Sequence, residues 1–120
     1  MALPDDETLV LIHNPRCSKS RAARGLLEER GVAFVERLYL EDRLSRDELT
    51  DLAARLARPL SEWTRTKEAA FLEAGLADGA SDDAILDAMA EHPILVERPI
   101  LVRGRRAVVG RPPEDVLSLL

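Results

Sequence analysis

A single cysteine, Cys17, stands in a chain of 120 residues, so no internal disulfide can form. Any redox work at that thiol must draw its second sulfur from another molecule. Aromatic residues are scarce too: one tryptophan, one tyrosine and two phenylalanines leave a core to be built mostly from Leu, Val, Ile and Ala. Apolar runs are only a few residues long, far short of the ~20 needed to span a bilayer. Net positive charge is missing as well. At a formal −5 the chain lacks the basic footprint of a generic nucleic-acid or membrane-surface binder. The segment Met1-Ala2-Leu3-Pro4-Asp5-Asp6-Glu7 has acids where a secretory leader has bases, so a cytoplasmic protein is expected. There is no internal repeat, low-complexity tract or interdomain linker, and the length suits one domain that buries roughly two-thirds of its unfolded surface.

What is present centres on the stretch from His13 to Arg24. The aliphatic run Leu9-Val10-Leu11-Ile12 feeds into it, Asn14-Pro15 reads as a turn, and Ala22-Ala23-Leu26-Leu27 leaves it at helical spacing. Cys17 therefore falls where a strand hands over to a helix. There the unpaired N–H groups and positive end of the helix favour thiolate over thiol. Arg16, Lys19 and Arg21 add charge of the same sign, and no acid occurs from Thr8 to Leu27. A cysteine so placed is a candidate nucleophile rather than a small buried hydrophobe.

The remaining pattern gives a layout. A buried strand is expected at Thr8–Ile12, a helix at Ser18–Arg30 closed by Gly31, and a strand at Phe34–Leu40. Ser45 and Glu48 have capping-box spacing, followed by an apolar face of Leu49, Leu52, Ala53 and Leu56 that Pro59 ends. Trp63 and Phe71 are the expected anchors of the middle segment. A short helix is expected at Glu68–Glu73, ending near Gly75. Another starts at Ser81, turns Ile85, Leu86 and Met89 inward, and ends at His92-Pro93. Ile100–Val102 and Ala107–Val109 read as strands around a four-residue loop, Arg103 to Arg106, and Glu114–Leu120 as a last short helix. Strand–helix–strand, a helical insert, then strand–strand–helix is an α/β order. It is that of a thioredoxin-like (glutaredoxin-like) mixed sheet, core about 8–40 and 98–120, with an all-helical insertion at about 45–93.

A second acid-free stretch, Arg98 to Pro113, holds five arginines. The layout allows it to converge with the Cys17 stretch at one edge of the sheet. Arginine suits a tetrahedral oxyanion because its planar fork offers parallel donors and keeps its charge. Arg98 and Arg111, each at an element boundary before a proline, are the better candidates. Arg103, Arg105 and Arg106 read as a solvated hairpin tip.

Taken together, His13-Asn14-Pro15-Arg16-Cys17-Ser18-Lys19-Ser20-Arg21, Arg65-Thr66-Lys67-Glu68, His92-Pro93-Ile94-Leu95-Val96-Glu97-Arg98-Pro99-Ile100 and Gly110-Arg111-Pro112 resemble the glutaredoxin-dependent arsenate reductase family. The resemblance runs from Leu9 to Leu120. It implies a thioredoxin-like fold with a helical insertion, Cys17 as nucleophile, and Arg65, Arg98 and Arg111 as the arsenate-binding residues. It also implies glutathione as co-substrate and glutaredoxin as partner, with no bound cofactor and no metal. Arg65 rests on the resemblance alone, since its mixed-charge surroundings read as surface. Pro99 matches the cis proline that the fold keeps opposite the active cysteine. Ser18 stands where many members have glycine.

Around the nucleophile, His13 either tunes Cys17 or only orders the Asn14-Pro15 turn. Ser20 either donates a hydrogen bond to the thiolate or is an ordinary first-turn residue. His92 reads as structural. The expected reaction is attack of the Cys17 thiolate on As(V), giving a covalent adduct that glutathione and glutaredoxin resolve. Two alternatives accompany it: a glutathione-dependent thiol reductase of the same family without arsenate activity, and an RNA-polymerase-binding redox regulator. Relatives of the last kind typically carry C-x-x-C where this chain has Cys17-Ser18-Lys19-Ser20.

Overall fold

The computed structural model describes residues 2–120. Its sheet has four strands, β1 (Val10–His13), β2 (Val35–Leu38), β3 (Ile100–Arg103) and β4 (Arg106–Val109), in the order β2-β1-β3-β4. β1 runs parallel to β2 and antiparallel to β3, and β3 pairs antiparallel with β4. A parallel pair needs a crossover, and α1 (Ser18–Glu29) supplies it. Between β2 and β3 the chain forms α2 (Arg46–Leu56), α3 (Ala69–Glu73) and α4 (Asp82–Glu91), with 3-10 turns at Leu60–Glu62 and Pro93–Leu95. This is a thioredoxin-like α/β fold.

β1 is a continuous apolar run because it is covered on both faces and paired on both edges. Leu9 and Leu11 pack with Ala23 and Leu27 of α1, Leu101, Val116 and Leu119. Val10 and Ile12 point the other way, into a core with Leu49, Leu52, Trp63, Met89, Ile100 and Val102. The central strand thus presses α1 onto one face and the helical segment onto the other. That fixes the point where β1 ends and the loop to Cys17 begins.

Local signals hold where their partners are close in sequence. Ser45 Oγ accepts from the Glu48 N–H at 3.0 Å, and Glu48 Oε1 accepts from the Ser45 N–H at 3.0 Å, a cap that stabilises α2 by about 1 kcal/mol. The Glu48 carboxylate also takes a forked pair of bonds from Arg37 at 2.9 and 3.1 Å. Burial pushes the Glu48 carboxyl up, but these donors outweigh it and hold it below its ordinary value. Ser81 caps α4 by accepting from Ala84 N–H, and Trp63 and Phe71 are buried as anchors.

Four boundaries differ from the sequence reading. β1 starts at Val10, not Thr8, and extends to His13, whose partner in β2 is Leu38. β2 spans Val35–Leu38 rather than Phe34–Leu40, because Leu38 O accepts from Glu41 and Asp42 N–H and turns the chain at Tyr39. The hairpin loop is two residues, Gly104 and Arg105, since Arg103 pairs with Arg106. Gly104 takes the left-handed conformation (φ +57°) that so tight a turn needs. The last segment, Pro113–Leu119, is a 3-10 helix: Pro112 and Pro113 remove two donors, and the remaining bonds, such as Asp115 N to Pro112 O, span three residues.

The hairpin tip is also less solvated than its charge suggests. Arg105 pairs with Asp5 and Asp51 at 2.7 and 2.8 Å. The same two carboxylates meet Arg55, whose side chain is 0% exposed and which donates to the carbonyls of Leu3, Pro4 and Gly104. Arg103 Nη1 donates to Leu119 O at 2.7 Å. Only Arg106 of the three is exposed with no ion pair or side-chain hydrogen bond among the described residues.

Candidate active site

The loop after β1 is shaped by Asn14. Its carbonyl accepts from Cys17 N–H at 3.0 Å, closing a turn, and its Oδ1 accepts from Arg16 N–H at 3.0 Å. Cys17 becomes the N-cap residue of α1, in extended conformation, and its carbonyl accepts the helix bond from Arg21 N–H. The sulfur is left half-buried at the mouth of the helix. Burial raises its pKa, but the backbone N–H groups of Ser20 and Lys19 and the Arg98 guanidinium lower it more. The thiol ends below its usual value of 9.0.

Ser20 and His13 sit behind this loop, both buried. The Ser20 hydroxyl accepts from the backbone N–H of Asn14 at 3.0 Å and shares a hydrogen bond with His13 Nδ1 at 2.6 Å. What Ser20 gives the sulfur is its backbone N–H, while its hydroxyl braces the turn. Burial, opposed by the nearby Glu36 charge and helped by Arg24 and Arg21, holds the His13 pKa below 6.5. His92 closes α4 as its C-cap residue, and its 3-10 neighbour Pro93 follows.

Arginines arrive from the far end of the chain. Arg111 Nη2 donates to Cys17 Sγ at 3.5 Å, and its Nε donates to Arg98 O at 2.8 Å. Arg98 precedes a cis bond to Pro99, as Arg111 does to Pro112. Pro99 itself packs so closely on Gly110 that a Cβ there would lie 2.8 Å from the proline ring, and Pro99 O accepts from Gly110 N–H. The two arginine-bearing segments are thereby clamped together. Arg98 Nε and Nη1 are buried with no acceptor among the described residues, an arrangement that calls for an anion.

Arg65 reaches the same corner one step removed. An isolated bridge between Thr64 and Val96, with Arg65 N–H donating to Leu95 O and Glu97 N–H to Trp63 O, lays residues 63–66 along 95–97. Arg65 donates from Nη1 to Glu97 at 2.9 Å and from Nε to Glu68 at 3.0 Å. Its pKa is raised because those carboxylates outweigh the burial that lowers it. Cys17, Arg98 and Arg111 are thus in mutual contact, and Arg65 joins them through Glu97.

Two participants escaped the sequence reading. Glu97 stands one residue before the acid-free stretch and meets all three arginine positions: Arg65 Nη1, Arg111 Nε at 3.1 Å and the backbone N–H of Arg98 at 3.1 Å. Tyr39, fully buried, donates to Val96 O at 3.4 Å and lies close enough to Arg98 to feel its charge. Burial pushes its phenol up to about 12, against the lowering by Arg98 and Arg65, so it stays neutral. The alternation of its strand gave no signal for this role.

A cleft of about 810 Å³ lined by α2, α4 and the segment between them contains none of Cys17, Arg65, Glu97, Arg98 and Arg111, so the site is defined by its chemistry rather than by volume. No group of three or more His, Cys, Asp or Glu could hold a metal among the described residues. None of the described helices is long and apolar enough to cross a membrane. The ensemble offers a polarised sulfur beside guanidinium donors, suited to covalent attack on a tetrahedral oxyanion.

Comparison with known proteins points the same way. The ArsC family profile matches residues 12–119. A protein of Neisseria meningitidis named arsenate reductase is 44% identical over 112 residues, covering 92% of this chain and 96% of that protein. One of Haemophilus influenzae with the same name is 37% identical over 115 residues, covering 94% and 99%. Among solved structures, the arsenate reductase from Vibrio cholerae superposes with a TM-score of 0.89 at 44% identity, covering 96% of this chain and 99% of that one.

Proposed function

The chain belongs to the ArsC family, and on that premise we propose that it reduces arsenate to arsenite with Cys17 as the nucleophile. Arg98 carries this reading: a half-buried arginine with two buried guanidinium nitrogens lacking an acceptor, beside a thiol whose pKa it lowers. The oxyanion docks on Arg98 and Arg111, with Arg65 adding charge through Glu97. The Cys17 thiolate attacks arsenic, forming an S–As bond while one oxygen leaves as water after taking a proton. Each well-placed guanidinium donor lowers the barrier by about 3 kcal/mol as charge builds on the departing oxygen.

With one cysteine in the chain, the second thiol comes from glutathione. Its thiolate attacks Cys17 Sγ, the S–As bond breaks, and the bonding pair stays on arsenic, taking As(V) to As(III). The two sulfurs are oxidised together to a mixed disulfide. A glutaredoxin thiolate then attacks the glutathione sulfur and returns Cys17 as thiolate. A cytoplasmic location, where the glutathione pool is reducing, belongs to this proposal.

The test is arsenate-dependent NADPH oxidation in the presence of glutathione, glutaredoxin and glutathione reductase. Turnover that Cys17→Ser abolishes is expected, and equal turnover in that variant overturns the proposal. Replacing glutathione, glutaredoxin and glutathione reductase with thioredoxin and thioredoxin reductase in the same assay identifies the reductant. Arg65, held by two carboxylates, favours a second reading: glutathione-dependent reduction of disulfides without arsenate turnover. The same coupled assay with a small disulfide in place of arsenate separates the two.

A further inference from the structure

Glu97 places a carboxylate where an oxyanion pocket ordinarily avoids one. Its hydrogen bonds and closest ion-pair contacts among the described residues fall on Oε1: Arg65 Nη1 at 2.9 Å, Arg98 N–H at 3.1 Å and Arg111 Nε at 3.1 Å. The guanidinium of Arg111 that touches Oε1 through Nε is the one that reaches Cys17 Sγ through Nη2. An anion seated on that guanidinium beside the sulfur therefore meets Glu97 as a neighbour. The local charges are three guanidinium groups against two carboxylates, Glu68 and Glu97, and the thiolate. The pocket holds no surplus of positive charge to drown out an acceptor facing the substrate.

We propose that Glu97 is a specificity-determining residue that restricts this pocket to tetrahedral oxyanions bearing an acidic hydroxyl. The inference rests on the oxyanion reading above. Near neutral pH arsenate and phosphate keep at least one hydroxyl, which donates to the unoccupied Oε2 of Glu97. Sulfate keeps none, so its oxygen and the carboxylate face each other as two acceptors of the same charge. Repulsion built against the wrong ligand discriminates as effectively as attraction to the right one. A site arranged to bond a substrate hydroxyl rejects an analogue without it by up to about 10⁵-fold. Glu97 is 19% exposed, so water screens part of the repulsion and the discrimination here is smaller.

A purely structural Glu97, bracing Arg65 and the Arg98 backbone, gives a different signature. Glu97→Gln keeps an acceptor oxygen for those donors and turns the other end into a donor. If Glu97 is only a brace, the variant weakens every anion in parallel. If it selects, the variant changes the ratio between anions.

The experiment measures protection of Cys17 from iodoacetamide by inorganic phosphate and by sulfate, at neutral pH and constant ionic strength, in the wild type, Glu97→Gln and Glu97→Asp. Folding of each is checked by circular dichroism. In the wild type phosphate protects at a concentration at least about 10-fold below that of sulfate, and Glu97→Gln brings the two within about threefold because sulfate gains. Glu97→Asp, which keeps the charge, retains a preference for phosphate. Equal protection by the two anions in the wild type overturns the inference, as does an unchanged ratio in Glu97→Gln. The wild-type ratio and Glu97→Asp decide the matter if Glu97→Gln does not fold. Equal protection with arsenate turnover intact removes this inference alone. Protection by neither anion removes the oxyanion reading and the inference with it.

Discussion

Ser20→Ala separates what holds the Cys17 loop from what activates its sulfur. The Ser20 hydroxyl is fully buried and satisfies two groups at once, the Asn14 N–H at 3.0 Å and His13 Nδ1 at 2.6 Å. Alanine leaves both without a partner in a site that is closed to solvent, since His13 and Asn14 are 3% and 5% exposed. An orphaned neutral polar group costs about 1–3 kcal/mol, and two in the lower half of that range cost roughly 2–4 kcal/mol. The better helix propensity of alanine returns a few tenths. A net loss of about 2–3 kcal/mol is a large share of a typical 5–15 kcal/mol stability and lowers Tm by roughly 10 °C. Urea unfolding followed by circular dichroism measures it. The sulfur, by contrast, is stabilised by the Ser20 backbone N–H, which alanine keeps. The pH midpoint of Cys17 alkylation then moves by less than about half a unit. The opposite pair of results refutes the reasoning: stability within about 0.5 kcal/mol of wild type, with the midpoint raised by about a unit or more.

Other outcomes follow from the same geometry. Arg98→Ala raises the Cys17 alkylation midpoint toward 9.0, because it removes a group that lowers it. It also cuts arsenate kcat/KM by about 10²–10³, and Arg98→Lys, a point charge without the fork, recovers only part of that. Arg55→Met leaves the carbonyls of Leu3, Pro4 and Gly104 without their donor and removes a buried guanidinium from the more exposed carboxylates of Asp5 and Asp51. A destabilisation of about 2–4 kcal/mol in urea is expected, from the orphaned carbonyls more than from the exposed carboxylates. The depressed pKa of His13 means the unfolded chain binds its proton more readily, so stability is full above 6.5 and falls as pH drops below it. His13→Gln removes that decline in a pH series of urea midpoints and leaves a second one below about 4.5, where Glu48 and Asp51, both held below their ordinary values, take up protons.

What the sequence disclosed and what it withheld divide by distance along the chain. The capping box at Ser45 and Glu48 spans three residues, and the turn at Asn14 that delivers Cys17 to α1 spans three. Such features need only local backbone geometry, so residue types at fixed spacing announce them. Arg65 is different. Its place depends on residues 63–66 lying along 95–97, a pairing of 32 residues' separation that no periodicity encodes, and in its own neighbourhood it reads as one charge among many. Arg105 shows the converse. Its loop position suggested solvent, but Asp5 lies 100 residues away in sequence and 2.7 Å away in space.

Ser20 shows a subtler limit. Its place after the cysteine identifies it as a neighbour of the sulfur, yet its hydroxyl is engaged by His13, seven residues before it, and by the Asn14 N–H. Glu97 is the sharpest case, because counting charge by stretches hides it. The acid-free run begins at Arg98, so the carboxylate that touches all three arginines falls just outside the window that drew attention to them. A run of one charge sign marks where an ion binds. The acid at its border has to be weighed as part of the same electrostatic unit, since folding brings Arg65, Arg98 and Arg111 onto a single oxygen of Glu97.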